Sequence, residues 1–391
     1  MEFALTPEQE KFASDLEDYI KDHMTPELEA DLEKQDMDKG PAHTAFIRQM
    51  GKDGWLGVGW PTEFGGQGRT AIEQHLFSEI MSYGGIALPE MALNAVGPAL
   101  MRVGSEEQKQ KFLPPIIRGE MEVAIGYSEP EAGSDLASLK TTAVKEGNEY
   151  VINGQKVFTS CAHYADYLWL ATRTDPNAPK KHKGLSVFMV PMNHPGITLE
   201  ASRLVGGERQ NTTFLDNVRV PEEWRIGEEN NGWKYMTTQL DFERVAISPS
   251  GSMRRNVEDV TKWAKETKID GKPVSEVPWV RLKLAEMTME LEVHRMLNFN
   301  VAWMVQEGQV PFAEASAVKV WGSELRNRVN GSLMQILGQF GQLQKGSKWA
   351  PLKGRIENAY RSDVIFTFGG GAVEIQRDII AMAGLWLPRG R

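Results

Sequence analysis

Three short stretches gather residue types that chemistry can use. Gly126-Tyr127-Ser128-Glu129-Pro130-Glu131-Ala132-Gly133-Ser134-Asp135 mixes glycine with hydroxyl-bearing residues, which lets backbone amides and side-chain oxygens come close to a ligand. Leu240-Asp241-Phe242-Glu243-Arg244 sets two carboxylates beside a guanidinium, and Gly369-Gly370-Gly371-Ala372-Val373-Glu374-Ile375-Gln376-Arg377 joins a glycine run to another carboxylate. A carboxylate suits removal of a weakly acidic proton. The common alternatives lack their anchors: no Gly-x-Gly-x-x-Gly opens a helix, and there is no Gly-x-Ser-x-Gly elbow, no His-Glu-x-x-His and no Walker loop. The single cysteine, Cys161, excludes an intrachain disulfide and a Cys-rich metal site, and it reads as a small buried hydrophobe.

The elements that must position these stretches follow from size and pattern. At 391 residues the chain exceeds the reach of one growing core, so two or three packed substructures are expected. A net charge of −9 and a pI near 5.5 argue against a nucleic-acid partner. Residues Met1 to Tyr19 carry Glu2, Glu8, Glu10, Asp15, Glu17 and Asp18, and no apolar run approaches the ~18 residues of a membrane span. The expectation is a cytoplasmic protein with no membrane partner.

Thr6-Pro7-Glu8-Gln9 predicts a helix start, with Thr6 as N-cap, Pro7 in the first turn and Gln9 closing a capping box. Helical stretches then run to Gly119. Tyr150-Val151-Ile152 and Lys156-Val157-Phe158-Thr159 flank Asn153-Gly154 and predict a tight hairpin, and β-rich runs follow at Tyr167 to Ala171, Leu185 to Val190 and Thr212 to Val220. From Gly232 the helical period returns. It is clearest over Trp279 to Val305, where Leu284, Met287 and Leu291 mark one face and Leu282, Ala285, Met289 and Val293 an adjacent one. The fold expected is α+β: an N-terminal α-helical domain over 1–122, a middle β-barrel or sandwich over 123–231, and a C-terminal four-helix bundle over 232–391.

The 126–135 stretch resembles the Thr-Glu-Pro-Gly-Ala-Gly-Ser-Asp signature of the acyl-CoA dehydrogenase family, and the resemblance continues along the whole chain in the same α/β/α order. It implies an FAD-dependent enzyme that desaturates an acyl-CoA to the trans-2-enoyl-CoA and passes electrons to an electron-transfer flavoprotein. It also implies that Tyr127, Ser128, Gly133 and Ser134 line the cofactor, with Ser134 reaching the pyrophosphate of FAD or CoA. Phe158-Thr159-Ser160 corresponds to the family's Trp-Ile-Thr segment, with Ser160 toward flavin N5 and O4 and Phe158 in place of the usual Trp. Many members carry their base in a C-terminal Tyr-Glu-Gly motif, but Gly370 occupies that position here. Leu240-Asp241-Phe242-Glu243-Arg244 instead resembles the Leu-Asp-Leu-Glu-Arg of isovaleryl- and long-chain members. The implied roles are Glu243 as base, Arg244 as its orienting partner with Asp241 beside the substrate, and the Gly370 amide as donor to the thioester carbonyl. Glu374 aligns outside the catalytic position and reads as structural.

Homotetrameric members reach across a dimer interface to the neighbour's FAD with an Arg-x-x-Phe-Gly segment, a Gln and a Gln-x-x-Gly-Gly-x-Gly loop. Here Thr267-Lys268-Ile269-Asp270-Gly271 lacks the Arg and Phe, Pro278 stands at the Gln, and Gln339 replaces the second Gly. These departures imply a sister subunit, and the resemblance is nearest to the catalytic subunit of the α2β2 enzymes of actinobacterial steroid side-chain degradation. An acyl-CoA oxidase, a flavin monooxygenase on the same fold and a non-catalytic structural subunit are the competing readings. Trp55, Trp60, Trp169 and Trp233 are expected in core packing, and Lys180-Lys181-His182-Lys183 in a solvated loop.

Overall fold

The computed structural model describes residues 4–34, 40–237, 239 and 248–388. Among the described residues six α-helices come before any strand: α1 (Pro7–His23), α2 (Pro26–Leu32), α3 (Pro41–Lys52), α4 (Ala71–Gly84), α5 (Gly97–Val103) and α6 (Glu106–Ile117). At α1 the Thr6 hydroxyl accepts from the Gln9 amide while the Gln9 side chain accepts from the Thr6 amide, the reciprocal box expected from the sequence. Thr70 with Glu73 and Ser105 with Gln108 repeat the device at α4 and α6.

A sheet of eight strands follows among the described residues: β1 (Val123–Gly126), β2 (Thr142–Glu146), β3 (Glu149–Lys156), β4 (Tyr167–Arg173), β5 (Leu185–Pro191), β6 (Ile197–Arg203), β7 (Arg209–Pro221) and β8 (Arg225–Ile226). Their order is β6-β7-β3-β2-β4-β5-β8, with β1 parallel to β4. β2 meets β4 at one residue pair, Thr142 with Arg173, so the sheet divides there into two halves. One core, with Tyr150, Ile152, Leu168, Leu170, Phe188, Leu215 and Val218, draws side chains from both halves, as a sandwich does. On β4 the alternation sends Leu168 and Leu170 into that core and Trp169 and Ala171 into a second one shared with the N-terminal helices.

The Asn153-Gly154 hairpin is corrected by the structure. β3 runs unbroken through that dipeptide, and its register against β7 shifts between Ile152 and Gly154, so the pair forms a bulge. The turn lies one strand length earlier, at Gly147-Asn148, where Gly147 has φ +64° and Glu146 faces Glu149. Two contacts fix the bulge: Asn153 Oδ1 accepts from the Asn217 amide at 2.8 Å, and Gly154 lies against Thr141.

The C-terminal part consists of α7 (Gly251–Glu266), a short hairpin of β9 (Lys268–Ile269) and β10 (Lys272–Pro273), α8 (Pro278–Gln306), α9 (Phe312–Leu337), α10 (Arg355–Ser362) and α11 (Val373–Ile379). Val257 and Val260 of α7, Met287 and Leu291 of α8, Leu325, Val329 and Leu333 of α9 and Ile356 of α10 share one core. On α8 the face with Met287 and Leu291 is buried, while Trp279, Leu282, Met289 and Val293 stay 45% to 63% exposed. No helix among the described residues is long and apolar enough to cross a membrane.

A Cβ at Gly154 would stand 2.5 Å from Thr141 Oγ1 and 2.8 Å from Thr141 Cα. Gly154→Ala is therefore expected to cost about 1–3 kcal/mol, read as a lower midpoint in thermal or urea unfolding; an unchanged midpoint would contradict the packing described.

Candidate active site

The β1–β2 connection carries the first group of expected site residues. Tyr127 is buried, and its hydroxyl donates to Gln239 Oε1 and accepts from Trp169 Nε1, both at 2.9 Å. Glu129 is buried too, and its carboxylate accepts from the Thr141 amide at 2.9 Å, the Lys140 amide at 2.6 Å and Lys156 Nζ at 2.8 Å. Lys156, fully buried, donates a second bond to the Tyr127 carbonyl at 3.1 Å. Burial pushes the Lys156 ammonium down to about 8 against the pull of Glu129. Burial also acts to raise the Glu129 carboxyl, but the adjacent ammonium and the amide donors outweigh it and hold that group below the usual carboxylate range.

This ion pair stitches the first stretch to the second. Val157 N–H donates to the Ser128 carbonyl at 2.9 Å, which brings residues 127–129 beside 156–160. Phe158 adopts φ +53° and is 66% exposed, a strained conformation for an aromatic residue with its ring turned to solvent. Thr159 holds the turn from behind: it is wholly buried, its amide donates to the Asn211 carbonyl and its hydroxyl accepts from Thr213 Oγ1. Ser160 Oγ donates to Gln210 Oε1 at 2.9 Å. Gly133 and Ser134 are exposed, and a Cβ added at Gly133 would meet nothing within 4 Å, so the chain leaves open space in front of it. The 133–135 corner is steadied by Lys181 on Asp135, at 2.8 Å, and by Arg173, whose guanidinium donates to the Ala137 and Leu139 carbonyls. The 180–183 run is an exposed loop. Trp60 and Trp169 are core residues, and Trp55 and Trp233 pack partly buried against the same core.

Gly370 lies in the turn between Phe368 and α11, exposed, with φ +67°; Gly371 follows at φ +104°. Both values fall where side chains are disfavoured, which explains glycine at these two positions. The Gly370 amide donates to no backbone carbonyl among the described residues. Glu374 is exposed on α11, and Arg377 pairs with Glu324 of α9.

Asp241, Glu243 and Arg244 lie outside the described residues. The chain on either side of them is held by buried polar side chains. On one side Gln239, fully buried, is bound by Tyr127. On the other, the Ser248 carbonyl meets His294 Nε2 at 2.8 Å and accepts from Asn298 Nδ2 at 3.1 Å, while Glu79 accepts from the Ser250 amide and hydroxyl, each at 2.7 Å. Arg326 of α9 donates to the Pro249 carbonyl and to Ser252 Oγ, both at 3.1 Å. A side chain at Gly322 would strike Ser248 and His294, so α9 needs glycine there to come this close. The Glu129–Lys156 pair, the Tyr127–Gln239 contact and the His294–Ser248 contact were not expected from sequence. Glu129 sits inside the quoted signature, but nothing in the pattern around Lys156 marks it as its partner.

The comparisons with known proteins match this architecture. Family models for the acyl-CoA dehydrogenase N-terminal, middle and C-terminal domains match residues 6–120, 124–218 and 230–385. Acyl-CoA dehydrogenase FadE26 of Mycobacterium tuberculosis is 42% identical over 398 residues, covering 100% of this chain and 99% of the relative. The chain belongs to the acyl-CoA dehydrogenase family. As such it is an FAD-dependent oxidoreductase acting on acyl-CoA. A chain of the ChsE4–ChsE5 complex of M. tuberculosis superposes on the dehydrogenase with a TM-score of 0.93 at 42% identity, covering 100% of both chains. The Tcur3481–Tcur3483 steroid ACAD gives 0.92 at 41%, again over 100% of both.

Burial pushes the His294 imidazole down to about 4, against the Ser248 carbonyl and Glu79, which favour the charged form; Arg326 and His75 add to the depression. The unfolded chain takes up this proton near pH 6.5, and the folded dehydrogenase refuses it until about 4. Stability is thus intact above about pH 6.5 and is lost as pH falls toward about 4. Melting temperature is expected to fall less steeply across that window in His294→Gln than in wild type; parallel curves would count against a neutral, buried His294.

Proposed function

We propose that this chain is the catalytic subunit of a heteromeric enzyme that converts a steroid side-chain or other bulky, branched acyl-CoA to its trans-2-enoyl-CoA and passes electrons to an electron-transfer flavoprotein in the cytoplasm. The observation that carries this reading is full-length similarity to the ChsE4–ChsE5 complex and to a steroid ACAD, joined to the residues Leu240-Asp241-Phe242-Glu243-Arg244 and Gly370. In it, the three domains divide at 122/123 and 231/232.

The open space before Gly133, the exposed Ser134 and the outward Phe158 ring fit a large planar cofactor with a phosphate arm. Tyr127, Ser128, Gly133, Ser134, Phe158, Thr159 and Ser160 would hold FAD, Thr159 by supporting the turn from behind. When bound, FAD supplies a hydride acceptor at N5. Glu243 removes the α-proton while the hydride leaves the β-carbon, so the two C–H electron pairs end as one C=C bond and one transferred hydride. The Gly370 amide donates to the thioester oxygen as negative charge develops there, Arg244 orients Glu243, and Asp241 and Ser134 flank the substrate.

Partner dependence rests on the exposed cross-subunit positions. Lys268, Ile269 and Asp270 form a bare hairpin tip, Pro278 opens α8, and Gln339 and Phe340 follow the end of α9. None supplies the arginine or close glycine backbone that a pyrophosphate needs. The exposed Trp279, Leu282, Met289 and Val293 stripe on α8 gives a second subunit an apolar seat.

Glu243→Gln is expected to keep FAD and melting temperature while turnover drops about 10²–10⁴-fold; undiminished turnover would place the base elsewhere. Coexpression with a second dehydrogenase subunit should yield a flavin-loaded heteromer. A fully flavinylated, active homotetramer of this chain alone would contradict the proposed division of labour.

A further inference from the structure

One face of α9 carries polar side chains at helical spacing that are almost fully buried: Lys319, Ser323, Arg326 and Asn330 are 1%, 3%, 7% and 0% exposed. A lysine at such a position is uncommon, and its hydrogen bonds show what it does. Lys319 Nζ donates to the Phe366 carbonyl at 2.9 Å and to the Gly371 carbonyl at 2.6 Å. These two carbonyls bracket Gly370. The same loop is held further along the helix, where Asn330 Nδ2 donates to Asp363 Oδ2 at 2.8 Å, Arg326 stands 3.6 Å from Asp363, and the Arg326 guanidinium lies 4.6 Å over the Phe366 ring.

We infer that Lys319 is a positioning residue that aims the Gly370 amide at the thioester carbonyl. The inference rests on the reading of Gly370 as that donor. Gly370 and Gly371 both have positive φ, so this backbone has more freedom than any other in the loop and gains most from outside restraint. Holding the Phe366 and Gly371 carbonyls, with the Gly369 amide donating to the Ile365 carbonyl at 2.7 Å, fixes both ends of the short segment that carries the Gly370 N–H. A donor held this way needs no reorganisation when charge develops on the thioester oxygen, whereas one that swings loses much of its value. Arg326 adds a link in the same direction: it binds the 363–366 part of this loop and also Pro249 and Ser252, so one helix face sets the spacing between the glycine turn and residues 249–252.

The test compares ligands with and without the carbonyl. FAD-loaded enzyme in its native assembly is titrated with an enoyl-CoA thioester and with the matching thioether, in which a methylene replaces the carbonyl, while flavin absorbance is followed. Wild type should prefer the thioester. Lys319→Met should weaken thioester binding about tenfold and leave the thioether unchanged, with FAD content retained and kcat reduced more than KM is raised. Lys319→Gln, which keeps an N–H donor, should recover part of the loss, and it carries the comparison if the methionine variant does not fold. Equal weakening of both ligands would make Lys319 merely structural and overturn the inference, as would a variant that discriminates as well as wild type. A wild-type enzyme that does not discriminate would overturn the Gly370 reading itself, and this inference with it.

Discussion

Lys319, Arg326 and Asn330 of α9 are buried where water does not reach, and a side chain of this kind left with no hydrogen-bond partner would cost several kcal/mol. Lys319 and Arg326 find partners in the carbonyls of Phe366, Gly371 and Pro249, and Asn330 finds one in the Asp363 carboxylate. Pairing these three side chains immobilises the two connections that run past the helix. An apolar face would have packed just as densely but would have left those backbone turns free to rearrange. Gly322 sits in the same face for the same reason, giving His294 and Ser248 room to approach.

The β side of the site solves a similar problem with a buried ion pair. Breaking such a pair by removing one partner costs roughly 3–5 kcal/mol, because the other charge is left stranded. Glu129 and Lys156 are shielded from water, and their remaining valences go to the Tyr127 carbonyl and the Lys140 and Thr141 amides, so the pair ties the first site loop to the end of β3. Phe158 can then be held at φ +53°, a conformation worth about 1–3 kcal/mol of strain, because Thr159 behind it is bonded through amide and hydroxyl. In both halves of the molecule, exposed backbone at the candidate site is backed by a buried polar network.

Local rules made much of the scaffold legible. The Thr6 cap, the strands beginning at Tyr167 and Leu185 and the long α8 helix each follow from signals within a few residues, and each forms where those signals put it. Asn153-Gly154 misled because a turn dipeptide and a bulge call for the same residues, and only pairing with β7, some sixty residues on, separates them. The α9 stripe was hidden for a related reason. Its helix is buried on more than one side, so Lys319 and Arg326 look in sequence like an ordinary solvated face. The 126–135 and 158–160 stretches were recognisable as a motif, but the partners that hold them, Lys156 and Gln239, come from distant points in the chain and leave no spacing to read.

In the proposed reaction, proton removal from the substrate α-carbon belongs to Glu243 and not to the glycine turn that holds Gly370. Exchange of the α-proton with heavy water tests it without electron transfer. Flavin-loaded enzyme would be incubated with an acyl-CoA whose β-position has no transferable hydride, and deuterium at the α-carbon followed by mass spectrometry. The account predicts incorporation with wild type and with Glu374→Gln, and none above background with Glu243→Gln. Exchange that persists in Glu243→Gln would contradict it.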